Sequence, residues 1–320
     1  MILAGDVGAT KILLEVGAMR TGRWVPAFAH RYEVEGAASY ASVVAAFLDE
    51  WRAAGGSGRI GSAAFGVAGP VIGNRVKMTN RPWTVDGEAI ARRFGIARVR
   101  VMNDLAASAM GLTSVPSREV VTLQRGRVVE GDPRVVIGVG TGLGIAYLVR
   151  EGARLRAVGG EGGHAGFAPE TSRQGALWRY VHDTVGRASI ESIISGHGLV
   201  TIHAFVRTHS SYAGTASPMT PEEISHAALE HRDPACMEAL DLFVECLASA
   251  AGDQALALMA RGGVYLVGGI VGKILPALRT ARFRESFSAK APHTALLTRI
   301  PVKAVTSERT ALLGAAITAA

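Results

Sequence analysis

The stretch that decides the fold stands at the start of the chain and reads Leu3-Ala4-Gly5-Asp6-Val7-Gly8-Ala9-Thr10. It predicts a strand that enters a tight glycine turn, followed by two further strands that extend a meander to Ala29. Such a hairpin aims successive backbone N–H groups at one point, which suits a phosphate group. The Thr10 hydroxyl adds a donor, and Asp6 would hold a metal ion that shares the phosphate charge. A plain hairpin turn, in which Asp and Gly are common, stays open as the alternative.

A second glycine turn between two strands lies in the middle of the chain and reads Gly140-Thr141-Gly142-Leu143-Gly144. Predicted strands flank it over 135–139 and 145–149. The turn is not a dinucleotide fingerprint, because the Gly-x-Gly-x-x-Gly spacing fails and a strand follows it instead of a helix. Two hairpins of this kind, one with an acid, favour a nucleotide-phosphate clamp over two coincidental turns.

The segments around the two turns indicate an α/β protein. The order meander, helix, strand, helix, strand is typical of that class and not of a β-sandwich. The predicted elements are a helix over 40–54 capped by Ser39, strands over 60–67 and 99–102, a helix through Met110, a long helix over 236–259, a strand over 264–267 and a closing helix over 310–319.

Asn103 and Asp104 stand where a buried strand gives way to a helix. The carboxyl ends of parallel strands are a common place for functional side chains in α/β proteins. An Asp there can accept the proton of a substrate hydroxyl that attacks a phosphoryl group. An N-cap role for Asp104 explains the same position about as well.

Further candidates are rich in glycine. The run Gly159-Gly160-Glu161-Gly162-Gly163-His164 offers a carboxylate and an imidazole that can pair with adjacent sugar hydroxyls. A mobile loop with two solvated side chains is the alternative. Glu191 is a further acceptor, although a solvated helix acid is the simpler interpretation. Gly268-Gly269 fits a backbone turn beneath a flat ligand such as adenine, and a simple strand-to-helix connection fits nearly as well.

Composition narrows the class of protein. The chain has 320 residues, of which 48% are hydrophobic and 19% charged, so a sizeable core offsets the chain entropy and bulk disorder is excluded. Its formal charge is +7, but the basic residues are scattered, and we expect no nucleic-acid partner. Cys236 and Cys246 lack metal-ligand spacing and indicate reduced thiols. With no signal peptide and no apolar run long enough for a bilayer, we expect a cytoplasmic protein without membrane contact.

The ordered set of motifs resembles the bacterial glucokinase family, which has the actin-like sugar-kinase fold. The resemblance spans residues 3 to about 271 and extends weakly to 312–314. The matching stretches are 3–10, Ala68-Gly69-Pro70, Met78-Thr79-Asn80-Arg81-Pro82-Trp83, Asn103-Asp104, 140–144, Gly160-Glu161-Gly162-Gly163-His164, Phe167-Ala168-Pro169, Glu191, Ser195-Gly196 and Val267-Gly268-Gly269-Ile270-Val271.

The resemblance implies two α/β domains around a cleft, a smaller one over 1–104 plus 306–320 and a larger one over 105–305. It implies an ATP-dependent and Mg²⁺-dependent glucokinase, a transferase that forms glucose 6-phosphate and ADP, and a homodimer.

The resemblance also implies roles for single residues. Asp104 would be the catalytic base toward the sugar 6-hydroxyl, and Asp6 would lie near Mg²⁺, holding it through water. The sugar partners would be Asn103, Asp104, Glu161, His164 and Glu191. The nucleotide would be bound by Gly5, Asp6, Val7, Gly8, Ala9, Thr10, Gly140, Thr141, Gly142, Gly268 and Gly269.

Three positions depart from the family pattern. The usual Gly-Gly-Thr-Asn is here Gly8-Ala9-Thr10-Lys11, and the usual Pro of a Ser-Gly-Pro-Gly stretch is His197. Ala9 is costly only if its backbone needs a positive φ. None of these changes removes a proposed catalytic group.

Two other functions stay open on the sequence. One is a kinase for another hexose or an amino sugar, although the related regulator-and-kinase family often carries a Cys-rich zinc motif that this chain lacks. The other is a non-catalytic sugar sensor, against which the presence of Asp104 and both hairpins argues. A transcriptional regulator would be expected to carry a helix-turn-helix segment before the first strand, which begins at residue 2.

Overall fold

A computed structural model gives the architecture and describes residues 1–8, 10–78, 81–209, 212 and 218–320. The strands are β1 Ile2–Val7, β2 Lys11–Arg20, β3 Arg23–Glu33, β4 Ser62–Val67, β5 Val71–Ile72, β6 Arg75–Lys77, β7 Thr84–Asp86, β8 Arg98–Asn103, β9 Val120–Gln124, β10 Arg134–Val139, β11 Leu143–Glu151, β12 Arg154–Gly160, β13 Val264–Val267 and β14 Val302–Val305. The helices are α1 Tyr40–Ala53, α2 Gly87–Phe94, α3 Asp104–Gly111, α4 Ser172–Val185, α5 Ile190–Ile193, α6 Gly196–His209, α7 Pro221–Leu229, α8 Pro234–Leu258, α9 Gly269–Lys273, α10 Leu275–Leu278, α11 Ala281–Ser288, α12 Thr294–Leu297 and α13 Thr310–Ala319. This mixed α/β order confirms the fold class that the sequence predicts.

The N-terminal motif forms the centre of a five-stranded sheet in the order β3-β2-β1-β4-β8. β1, β2 and β3 make the expected antiparallel meander, whereas β1, β4 and β8 run parallel. The parallel register pairs Val7 with Val67 and Val67 with Asn103, so the three strands end level with one another. Residues that follow these strands therefore emerge at one carboxyl edge.

The second glycine turn belongs to a six-stranded sheet in the order β12-β11-β10-β13-β14-β9. β10 runs parallel to β13, and Gly138 is paired with Val267. The segments that leave these two strands, Gly140 after one and Gly268 after the other, consequently start from the same edge. A short third sheet joins β5, β6 and β7.

Two compact units divide the chain. The first comprises Met1–Ser117, Ala146–Gly160 and Ser307–Ala320, and the second comprises Arg118–Ile145 and Glu161–Thr306. Compared with the expected 1–104 plus 306–320, the first unit also contains residues 105–117 and 146–160, and it does not contain Thr306. α3 belongs to the first unit because it packs against α13 and β4, and β12 belongs there because it packs against α3.

Local chemistry explains where several elements begin. Ser39 caps α1 as predicted, because its hydroxyl accepts a hydrogen bond from the Ser42 N–H and the Ser42 hydroxyl accepts one from the Ser39 N–H. β13 and α13 have the predicted bounds.

Within the part of the chain that the structure describes, no helix combines the length and the apolarity needed to cross a bilayer.

Candidate active site

The first unit brings Asp6, Asn103 and Asp104 to the carboxyl edge of its sheet. Asp6 is the penultimate residue of β1, Asn103 ends β8, and Asp104 begins α3. Close packing beneath them is possible because Gly66 of β4 has no side chain. A Cβ there would stand 3.4 Å from the Asp104 Cα and 2.9 Å from the Ala107 Cβ.

Asn103 is the N-cap of α3. Its Oδ1 accepts hydrogen bonds from the Leu105 and Ala106 N–H groups, both at 3.0 Å, and its Nδ2 donates to the Gly69 carbonyl at 3.3 Å. The alternative that gave the cap to Asp104 was therefore wrong by one residue. Asp104 is the first helical residue instead, and its Oδ1 accepts from the Leu105 N–H at 2.8 Å. The helix start thus orients the Asp104 carboxylate.

The pKa of Asp6 differs from that of an ordinary aspartate carboxyl group. Burial and the negative charge of Asp104 raise the pKa of Asp6 from 3.8 to about 7, and Arg31 opposes this shift.

Sequence reasoning gave no role to Tyr40, the first residue of α1, yet its buried hydroxyl has no hydrogen-bond partner among the described residues. Burial and the Asp6 charge raise the pKa of Tyr40, so this hydroxyl stays protonated. Only its place at a helix start was visible in the sequence.

The pair Asp6 and Asp104 fits a hydrated divalent cation. Mg²⁺ prefers oxygen ligands, keeps several waters and commonly uses one or two carboxylates together with substrate phosphates. Across the described ranges, no cluster of three or more His, Cys, Asp or Glu side chains is arranged to hold a metal by itself. The donor set accordingly suits Mg²⁺ held through water and in company with phosphate oxygens, and not an all-protein cage.

The first hairpin follows Asp6. The Gly8 N–H donates to the Lys11 carbonyl at 2.9 Å, which closes the turn, and the side chains of Thr10 and Lys11 are exposed. Gly5 and Val7 are buried within β1, so their predicted nucleotide contacts are limited to the backbone. Ala9 lies outside the described residues, as do Thr79 and Asn80 of the family motif.

The second hairpin has fewer available donors than its five residues suggest. The Gly140 N–H donates to the Gly142 carbonyl at 2.9 Å, and the Leu143 N–H donates to Glu191 Oε2 at 2.8 Å. The N–H groups of Thr141 and Gly142 and the exposed Thr141 hydroxyl have no acceptor or donor partner in the described part of the protein. These groups are therefore available to bind an anion.

Glu161, His164 and Glu191 come together in the second unit. The His164 ring lies between the two carboxylates, with its Nε2 3.9 Å from Glu161 Oε2 and its Nδ1 3.7 Å from Glu191 Oε1. Glu161 precedes a 3-10 turn over Gly162–His164, of which His164 is the last residue, whereas Glu191 lies in α5. The side chains of Glu161 and His164 are 57% and 60% exposed, so both can meet a ligand. Two acceptors around an imidazole suit adjacent sugar hydroxyls.

Gly268 and Gly269 lie beside the second hairpin. A Cβ at Gly268 would stand 2.4 Å from the Val139 carbonyl oxygen, and its φ of 104° favours glycine. Packing against β10 is therefore sufficient to explain Gly268, and its predicted adenine contact stays a prediction. His197, the second residue of α6, is exposed beside Gly196, whose N–H donates to the Gly140 carbonyl at 2.9 Å.

The predicted site residues thus form two groups, each within one unit. Asp6, Asn103, Asp104 and the hairpin over 5–10 belong to the first unit. The hairpin over 140–144 belongs to the second unit, together with Glu161, His164, Glu191, Gly268 and Gly269. Sequence reasoning missed the direct link between the hairpin and Glu191, because these residues are 48 positions apart.

The chain is similar to known proteins along nearly its whole length. A family model described as Glucokinase matches residues 3–320. A glucokinase of Mesorhizobium japonicum is 38% identical over 320 residues, covering 98% of this chain and 90% of that relative. A glucokinase of a Nostoc species is 33% identical and covers 100% of this chain and 99% of that protein. The crystal structure of a glucokinase from an Antarctic psychrotroph has a TM-score of 0.88 at 28% identity, with 99% of this chain and 98% of that chain covered. The chain therefore belongs to the glucokinase family, as the motif resemblance predicted.

Proposed function

We propose that this protein transfers the γ-phosphoryl group of ATP to the 6-hydroxyl of glucose, forming glucose 6-phosphate and ADP. The observation that carries this proposal is the pair of carboxylates at the edge of the first sheet, in a chain of the glucokinase family. Asp104 begins α3 in a fixed orientation, and Asp6 lies close enough for its pKa to respond to the Asp104 charge.

The chemistry assigns one step to Asp104. As the sugar O6–H attacks, a bond forms between O6 and the γ-phosphorus, the bond from that phosphorus to the bridging oxygen breaks, and Asp104 accepts the proton. ADP leaves with the electron pair of the broken bond. Most of the rate enhancement in such a transfer comes from positioning and charge stabilisation.

The remaining residues bind the substrates. Glu161, His164 and Glu191 would pair with sugar hydroxyls, and Asn103 would add its amide. The N–H groups of Thr141 and Gly142 would donate hydrogen bonds to phosphate oxygens. The turn over 8–10 would bind phosphate oxygens as well. Mg²⁺, held through water by Asp6, would offset the charge of the triphosphate when bound.

Asp104→Asn tests the proposal. Asn keeps the size of the side chain but cannot accept the proton, so turnover should fall by about 100-fold or more while glucose binding persists. The matched control is Asp86→Asn. Asp86 also stands at a strand-to-helix junction of the first unit, where its Oδ1 accepts from the Ala89 N–H, and Asn caps a helix equally well. Substantial turnover by a folded Asp104→Asn variant would remove Asp104 from the role of base.

The assembly and the location are separate proposals. The family resemblance favours a homodimer, so light scattering should give twice the chain mass of 33.4 kDa. A single-chain mass at working concentration would reject the dimer. We also propose a cytoplasmic location, where ATP and reduced thiols are both available, and fractionation of the host cell checks it.

A further inference from the structure

We propose that Glu191 is a positioning residue that couples sugar binding to the nucleotide-phosphate hairpin over 140–144. The two ligands in this inference rest on the proposed function. The geometric connection between the groups rests on contacts within the second unit alone.

The first contact joins Glu191 to the hairpin backbone. Its Oε2 accepts a hydrogen bond from the Leu143 N–H at 2.8 Å. The carboxylate can reach that position because Gly142 has no side chain. A Cβ at Gly142 would stand 2.6 Å from Glu191 Oε2, closer than real Cβ atoms approach other atoms, and 3.3 Å from its Cδ. A side chain at this position would therefore displace the Glu191 carboxylate, although the backbone of Gly142 lies outside the left-handed region.

The second contact points Glu191 toward the sugar side. Its Oε1, the oxygen that does not hold the hairpin, is 3.7 Å from His164 Nδ1. His164 in turn lies 3.9 Å from Glu161. One carboxylate group thus has one oxygen on the phosphate hairpin and the other among the predicted sugar partners. Its side chain is 32% exposed, so part of it is open to solvent.

The Leu143 peptide provides a further connection between the same two groups. Its carbonyl oxygen would lie 2.0 Å from a Cβ at Gly163, so the turn over Gly162–His164 packs directly on the strand that leaves the hairpin. The Leu143 N–H holds Glu191, and the Leu143 carbonyl oxygen is covered by the turn that carries His164. A movement of this peptide would change the position of both sugar-side groups.

Coupling follows from this rigid connection. A sugar hydroxyl that donates to Oε1 restrains the rotation of the carboxylate and so keeps Oε2 on the Leu143 N–H. The hairpin is then held in the conformation that presents the Thr141 and Gly142 N–H groups. Because linkage is reciprocal, phosphate bound at the hairpin must tighten sugar binding by the same factor.

The first experiment is glucose titration calorimetry in the absence of nucleotide, on wild type, Gly142→Ala and Gly175→Ala. The methyl group that Gly142→Ala introduces would displace Glu191, so the glucose Kd should rise by about 5-fold or more. Gly175→Ala in α4 is the control from the same unit, since Gly175 is not among the predicted binding residues and its Cβ would meet nothing within 4 Å. Its glucose Kd should stay within about twofold of wild type. An unchanged glucose Kd in a folded Gly142→Ala variant would overturn the proposal.

The second experiment is done first on the wild-type protein, so its main result does not depend on whether a variant folds. The Kd of the non-hydrolysable analogue AMPPNP is measured on wild type with and without saturating glucose. We expect glucose to tighten AMPPNP binding by about 5-fold or more, and a ratio near one would overturn the coupling although glucose binds. A wild-type protein that binds no hexose would instead overturn the proposed function, and the coupling with it. In Gly142→Ala the ratio should fall to near one, and a full wild-type ratio there would assign the coupling to other residues.

Discussion

The role proposed for Asp6 requires a negative charge, but the position of this residue in the fold disfavours that charge. The pKa of Asp6 is raised from 3.8 to about 7 by burial and by Asp104. Between these two values the folded protein holds a proton that the unfolded chain has lost. The contribution of Asp6 to the free energy of unfolding therefore falls as the pH rises from about 4 to about 7. A bound cation would remove part of this cost.

Asp6→Asn should separate stability from activity. Because the amide carries no charge, the variant should lose the decline in unfolding free energy over this pH range and be more stable than wild type at pH 8. Its turnover should be strongly reduced, since the proposed Mg²⁺ partner is gone. Urea unfolding in EDTA at pH 5 and pH 8 measures the first effect. Equal pH slopes for wild type and variant would show that Asp6 titrates normally.

At the scale of elements, α3 and α13 cross with their backbones in contact. A Cβ at Gly314 would stand 1.7 Å from the Ala107 carbonyl oxygen, and one at Gly111 would stand 1.9 Å from the Thr310 carbonyl oxygen. This crossing matters for the site because α3 begins with Asp104. Side chains of α13 also pack against β1 and β4. The resulting core cluster contains Ala4, Ala64, Leu312, Ala315, Ala316 and Ala319.

Gly314→Ala should lower the free energy of unfolding by about 2 kcal/mol, because the obstructing atom is backbone and cannot rotate away. The matched control is Gly175→Ala in α4. A Cβ there meets nothing within 4 Å, so only the helix propensity changes, and the variant should gain about 0.5–1 kcal/mol. Urea unfolding of both variants tests the pair. A Gly314→Ala variant as stable as wild type would mean that the two helices lie further apart.

At the scale of the whole molecule, the two ends of the chain meet in the first unit. Arg309 Nη2 lies 2.5 and 2.7 Å from the two carboxylate oxygens of Glu15, and the Trp24 indole N–H donates to the same carboxylate at 2.6 Å. The Glu15 side chain is only 4% exposed. Removing the guanidinium would leave a buried charge with a single neutral donor, which is costly.

Arg309→Met should therefore destabilise the protein by about 2 kcal/mol or more. Adding Glu15→Gln to that variant should restore most of the loss, because the buried charge is removed and the amide oxygen still accepts from Trp24. A double-mutant cycle by urea unfolding gives the coupling. Additive effects of the two substitutions would show that the pair contributes little.

Much of this architecture could be predicted from local sequence. Alternating and helical periodicity predicted the bounds of β13 and α13 correctly, and the Ser39 cap of α1. The sequence alone does not determine which unit α3 belongs to, because this depends on its packing against α13, some 200 residues away. Local patterns carry no information about such long-range contacts.

The same limit applies to the candidate site. Residue types at strand ends identified Asp6 and Asp104 as candidates one by one, whereas the parallel register shows that both lie at the same sheet edge. Neighbouring polar residues such as Asn103 and Asp104 compete for the helix cap, and only the backbone geometry decides between them. The hydrogen bond from Leu143 to Glu191 depends on how α5 packs against a distant hairpin, so no local pattern predicts it.

The central claim is tested most directly by measuring ADP release with Mg-ATP and a panel of sugars comprising glucose, mannose, fructose, galactose and N-acetylated hexosamines. The account predicts fastest turnover on glucose, with one glucose 6-phosphate formed for each ADP. No turnover on any sugar, from folded protein that still binds one, would contradict the account and indicate a sugar sensor. Fastest turnover on a different sugar would contradict the assigned substrate and place the difference near His197.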